Sequence, residues 1–163
     1  MDKGLVHIIF GEGRGKTTSA IGQAIRAASE GKSVIIIQFL KEKQRDDIGF
    51  IRRLEPEIKV FRFEKTEKSF DSLSEEERQE EIQNLRNALN FARKVLVTEE
   101  CDVLILDEVL GLVEHGIAGA SEIRGLLEAK HDDTELILTG IYEGREFWDL
   151  ADVVTEMVTK KNH

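Results

Sequence analysis

The densest chemical signal in the chain is Gly11-Glu12-Gly13-Arg14-Gly15-Lys16-Thr17-Thr18. Three residues without side chains let successive backbone N–H groups turn to one side and approach an anion closely. A lysine and two hydroxyls follow at once, the residue types that hold polyphosphate charge and ligate Mg²⁺. The strict phosphate-loop pattern G-x-x-x-x-G-K-[ST] would need glycine at position 10, where Phe10 stands, so this loop is shorter by one. A dinucleotide fingerprint, G-x-G-x-x-G, would need glycine at position 16 and is excluded by Lys16. All eight loop residues are therefore candidate nucleotide ligands. Lys16 would lie over the phosphates and the Thr17 hydroxyl would ligate Mg²⁺, with Thr18 assisting either.

The second signal is Asp102-Val103-Leu104-Ile105-Leu106-Asp107-Glu108, an apolar strand that ends in adjacent carboxylates. In a parallel sheet such a strand end lies beside the glycine loop, where the acids can hold a magnesium ion or its waters. Thr17, Asp107 and Glu108 are thus the candidate metal ligands. His7, His115, His131 and His163 show no paired spacing of the i, i+4 kind, so no zinc or iron site is expected.

Positioning these groups requires a scaffold in which short apolar runs alternate with longer helical segments, the pattern of βαβ units. The strand candidates are Leu5 to Phe10, Val34 to Phe39, Lys59 to Phe63, Val103 to Leu106 and Glu135 to Thr139. Thr17 to Ser29 reads as a helix with Ala20, Ile21, Ala24, Ile25 and Ala28 on one face, stopped by Gly31. Ser74 followed by Glu77 forms a capping box that opens a long helix reaching about Val97. Its acidic start, Glu75-Glu76-Glu77, reads as a solvated face. Charged residues Lys41 to Asp47 lack an apolar period and suggest a mobile connection able to close over a ligand. The expected fold is α/β, a P-loop NTPase-like three-layer sandwich with a mostly parallel central sheet, in one nucleotide-binding domain over residues 1–163.

At 163 residues and 40% hydrophobic content the chain can bury a core of one domain. A net charge of −9 disfavours broad contact with nucleic acid or membrane, both polyanionic, so neither is expected as a partner. Cys101 is the only cysteine, which excludes an internal disulfide and fits a reducing compartment; the first residues are too short an apolar run for a leader. The cytoplasm is the expected location. Among the aromatics, Phe61 and Phe63 read as core, whereas Phe70, Phe147 and Trp148 are equally suited to packing against a flat ligand.

Together these residues resemble the ATP:corrinoid adenosyltransferases, with the loop spacing as the most distinctive feature. The likeness runs in order through Gln38-Phe39-Leu40-Lys41, Leu106-Asp107-Glu108, Leu138-Thr139-Gly140 and Ala151-Asp152-Val153-Val154-Thr155-Glu156-Met157. The resemblance implies that a reduced corrinoid cobalt attacks the 5′ carbon of ATP and expels triphosphate, so no general base is required. It implies catalytic roles for Lys16 and Glu108, Mg²⁺ beside ATP as co-substrate, a homodimer, and a flavoprotein as reductant. Where that family usually has Thr-Gly-Arg, this chain has Thr139-Gly140-Ile141; Arg145 falls where some relatives also carry arginine and is a candidate phosphate ligand in compensation. The resemblance further implies a tail past the residues equivalent to His163 that helps cover the site. Two alternatives stay open on sequence grounds: another P-loop ATPase or small-molecule kinase, which would cleave at the γ-phosphate, and a non-catalytic ATP- or corrinoid-binding relative.

Overall fold

A computed structural model of the protein describes residues 3–40, 52–66 and 68–163. The expected connection Lys41 to Asp47 lies outside them. The described elements are β1 (Val6–Phe10), α1 (Lys16–Ser29), β2 (Val34–Gln38), β3 (Ile58–Arg62), α2 (Glu75–Thr98), β4 (Val103–Asp107), α3 (Leu110–Glu114), α4 (Ala120–Ala129), β5 (Glu135–Gly140) and β6 (Val153–Glu156). They form one sheet in the order β3-β2-β4-β5-β1-β6, and every pairing is parallel. β1 and β4, which carry the two chemical signals, are thus separated by one strand, β5.

β2 and β4 are buried at every position, which is why they read as unbroken apolar runs rather than alternating ones. Side chains of opposite parity feed two cores. Ile9, Ile36, Ile105 and Ile137 meet α1 on one face; Ile8, Ile37, Leu104, Leu106 and Leu138 meet α2, α3 and α4 on the other. Each such side chain contributes about 1.5–3 kcal/mol by leaving water. α1 lays the small residues Ala20, Ala24 and Ala27 on the sheet, so its backbone approaches closely and its N-terminus points along the carboxyl ends of the strands.

Both halves of the Ser74–Glu77 capping box are present, with Glu77 N–H donating to Ser74 Oγ at 3.2 Å and Ser74 N–H to Glu77 Oε1 at 3.1 Å. Gly31 sits at φ +84° just past α1, in the left-handed conformation expected of its stop. The five expected strands are present within a residue or so at each end. The sixth, β6, reads weakly because Val153–Glu156 is a four-residue edge strand whose two apolar residues are adjacent rather than alternating. The helices α3 and α4 also escape a periodicity argument, α3 because five residues are too few to show one.

Candidate active site

The turn after β1 holds two glycines in left-handed backbone, Gly11 at φ +118° and Gly15 at φ +101°, conformations that a side chain would strain. Crowding adds a second constraint at Gly13, where an added Cβ would lie 2.4 Å from the Met157 carbonyl oxygen. Ser19 N–H donates to Gly15 O at 2.8 Å, the first rung of α1. The N–H groups of Lys16, Thr17 and Thr18 therefore stand ahead of the helical ladder, where helix geometry turns them toward an anion. Lys16 folds back over the turn, with Nζ donating to Gly13 O at 3.0 Å.

The carboxylate of Asp107, 1% exposed, is the hub of the site. It accepts from Thr17 Oγ1 at 2.9 Å (Oδ1) and 3.3 Å (Oδ2), from Thr139 Oγ1 at 2.7 Å, and from Gln38 Nε2 at 3.5 Å. The strand order explains the convergence. β5 lies between β1 and β4, so Thr139 at its carboxyl end reaches the acid of β4 directly, while Gln38 is the register partner of Asp107 on β2. Thr139 Oγ1 also accepts the Glu108 N–H at 2.9 Å, where the chain leaves β4 with Glu108 at φ +66°. The structure thus brings Lys16, Thr17, Asp107 and Glu108 together at the carboxyl ends of the strands. A hydroxyl against a buried carboxylate is an all-oxygen donor set suited to a hard divalent cation.

The outer half of the loop faces elsewhere. Glu12, Arg14 and Thr18 are exposed. Gly13 N–H donates to Met157 O at 2.9 Å, and Arg14 N–H to Thr159 Oγ1 at 2.9 Å. Between this half-loop and the segment after β6 lies a cavity of about 630 Å³, lined by Glu12, Gly13, Ile141, Glu143, Val158 and Thr159 among others. Arg145 is not gathered into it. Its guanidinium pairs with Glu143 at 2.9 Å and lies over the Trp148 ring at 5.3 Å, leaving the side chain 71% exposed. Ile141, where a guanidinium was expected, is exposed at the cavity wall.

The aromatics divide clearly. Phe61 and Phe63 pack on Phe91, as core residues do. Phe147 is fully buried, and Trp148 packs at a tilt against Phe10 with its indole N–H donating to Glu143 O at 2.8 Å. Phe70 lies beside His115 in a smaller hollow of about 110 Å³ that includes Leu40 and Asp71. Leu40 reaches Gly111, and Gly111 lies beside the Glu108 carboxylate, so this hollow lies at the same end of the sheet as the acids. Sequence reasoning missed Thr139, Gln38 and Thr159 as site residues. The signal for the first two was available, since both are polar residues closing otherwise apolar strands.

A phosphate turn on one strand and a buried acid on another, with a single strand between them, make this chain a P-loop nucleotide-binding α/β protein. The same fold is found in a KaiC-like protein of Pyrococcus horikoshii OT3, with a TM-score of 0.60 at 19% identity over 98% of this chain and 75% of that one. The family is narrower: residues 2–163 match ATP:corrinoid adenosyltransferase BtuR/CobO/CobP, and the chain belongs to that family. The corrinoid adenosyltransferase of Escherichia coli K12 is 31% identical over 157 residues, covering 96% of this chain and 77% of the relative. That of Salmonella typhimurium LT2 is 28% identical over 156 residues, with the same coverage. Family and relatives together make the chain a transferase that uses ATP and a corrinoid.

Proposed function

We propose that the protein transfers the 5′-deoxyadenosyl group of ATP to the cobalt of a reduced corrinoid, cobalamin or a precursor, and releases triphosphate by means of the site described above. The observation that carries the site assignment is the Thr17–Asp107 hydrogen bond, which ties the phosphate loop to the acid of β4. In the transfer, the cobalt lone pair forms the bond to C5′ while the C5′–O bond breaks and its electron pair leaves with the triphosphate. No proton moves, so the protein needs no general base. Its work is to bind the leaving group's charge, aim C5′ at the metal and keep water away from a strong reductant.

Lys16 and the N–H groups at the start of α1 would grip the triphosphate. Mg²⁺, held by Thr17 with Asp107 and Glu108, would supply further neutralisation of the departing charge. Asp107 holds the Thr17 hydroxyl in place, and Thr139 holds Asp107. The corrinoid would sit on the side of the acids where Leu40 and Phe70 line a small hollow together with Glu64, Lys68, Asp71 and His115. A single domain, cytoplasmic residence, a homodimeric assembly and a flavoprotein reductant belong to the same reading. The last two rest on family likeness alone. No helix among the described residues is long and apolar enough to cross a membrane.

Product analysis tests the reading. Incubation with ATP, Mg²⁺ and chemically reduced cobinamide or cobalamin should yield a light-sensitive adenosylated corrinoid and inorganic triphosphate in equal amounts. Release of ADP instead would assign the site to phosphoryl transfer.

A further inference from the structure

The segment that follows β6 lies across the outer half of the phosphate loop and holds it by contacts of two kinds. One kind is main-chain and closely packed: Met157 N–H donates to Phe10 O at 2.8 Å and Gly13 N–H to Met157 O at 2.9 Å, continuing the β1–β6 ladder past its end. The added-Cβ distances of 2.6 Å at Gly11 and 2.4 Å at Gly13, both to the Met157 carbonyl, show how tight that contact is. The other kind is made by exposed side chains, and all of it falls on Arg14. Thr159 Oγ1 accepts the Arg14 N–H at 2.9 Å, and Asn162 Oδ1 accepts from the Arg14 guanidinium at 3.1 Å.

An N–H group aimed at Thr159 is not aimed at a phosphate oxygen. Arg14 also carries the one guanidinium within the loop itself, in a chain where position 141 supplies none and Arg145 is held by Glu143. A phosphate oxygen is a charged acceptor and outcompetes a neutral hydroxyl or amide for both donors. The exchange nevertheless gives up the bonds already made. We propose that Thr159 and Asn162 form a releasable clasp that holds Arg14 off the phosphate site in the free protein, so that polyphosphate binding opens the clasp and is weakened by the cost of opening it. Thr159 and Asn162 are then positioning residues that set nucleotide affinity without touching nucleotide. The proposal rests on the loop being the triphosphate site.

The test is calorimetric titration of the whole protein with inorganic tripolyphosphate and, separately, with ATP, each with Mg²⁺ and without corrinoid. Thr159→Val keeps the shape and removes the acceptor, and it should bind both ligands tighter by roughly 2- to 10-fold, the equivalent of one exposed hydrogen bond. Asn162→Ala should shift affinity in the same direction by a smaller factor, and serves if the valine variant fails to fold. Thr159→Ser retains the acceptor and should match the parent protein. A purely structural strap predicts the opposite sign, since loosening the loop would weaken binding. Unchanged or weaker binding in both Thr159→Val and Asn162→Ala overturns the clasp. A parent protein that binds neither ligand removes the phosphate site itself, a separate failure read from the parent alone.

Discussion

Thr139 is the residue whose loss should be felt most widely for the smallest change in shape. Its hydroxyl is fully buried, donates to Asp107 at 2.7 Å and accepts from the Glu108 N–H at 2.9 Å. Thr139→Val preserves volume and β-branching but removes both partners at once. Losing an acceptor at a buried N–H costs about 1–3 kcal/mol, and the bond to a charged carboxylate is worth about 1.5–3 kcal/mol. Relaxation and the remaining donors on Asp107 reduce the sum, so a net loss of about 2–4 kcal/mol is expected. For a domain of this size each kcal/mol moves the melting midpoint by about 2–4 °C, which places the drop between about 4 and 16 °C. The assay is thermal denaturation by circular dichroism, with Thr139→Ser as the variant that keeps the hydroxyl. Because Asp107 also orients Thr17, ATP affinity measured in Mg²⁺ should fall together with stability. A valine variant melting within 1 °C of the parent would refute the claim that this hydroxyl organises the site.

Three further outcomes follow from the same geometry. Lys16→Ala removes a charged donor from the phosphate turn and should weaken ATP binding by about 10- to 100-fold in calorimetry, in proportion to a charge-assisted bond; equal affinity would contradict its role. Gly13→Ala puts a methyl 2.4 Å from the Met157 carbonyl, so the loop or the last segment must shift, and both nucleotide binding and the melting temperature should fall; an alanine variant that binds ATP normally would show the packing to be slack. Glu122 joins α4 to Arg86 of α2 at 2.9 Å, and the Arg86 guanidinium is the main cause holding its carboxyl below the ordinary 4.5. A carboxylate with a depressed folded value stabilises above that range and loses its contribution as pH falls through the folded value. Glu122→Gln should therefore cost under about 1 kcal/mol near pH 7, both partners being 42% exposed, and nothing at pH 3. Equal melting of parent and variant at pH 7 would remove the bridge from consideration.

Legibility in the sequence tracked how local the determining physics is. The glycine turn, the helix it opens and the apolar run ending in Asp107-Glu108 are each specified within a few neighbouring residues, so their types and places could be read directly. Strand order is not local. Nothing within β5 announces that it lies between β1 and β4, yet that placement alone makes Thr139 the partner of Asp107. β6 escaped because an edge strand covered on one side only has little apolar pattern to display, and with it went the contact between Met157 and the loop. Arg145 is a candidate phosphate ligand by family likeness alone, and here a neighbouring acid and an indole ring hold its guanidinium outside the cavity lining.

That displacement bears on how the leaving group's charge is met. Triphosphate carries several negative charges, and the cavity beyond Gly13 is lined by Glu12, Glu143 and Glu156, which repel rather than neutralise them. With Ile141 uncharged and Arg145 paired with Glu143, the outer side of the site offers a polyphosphate little positive charge. Neutralisation then falls to the inner side, where Lys16 and the opening N–H groups of α1 lie beside Thr17 and Asp107, the residues that would hold Mg²⁺ under the proposed function. Arg14 is the cation that can be added to that set, because neutral acceptors alone restrain it in the contacts described. A site arranged this way should lose far more affinity on removing Lys16 than on removing Arg145, and Arg145→Ala, measured beside Lys16→Ala by the same titration, should stay within about 2-fold of the parent, as for other exposed ion pairs. A large loss on removing Arg145 would mean that the arginine leaves Glu143 and turns inward when nucleotide binds.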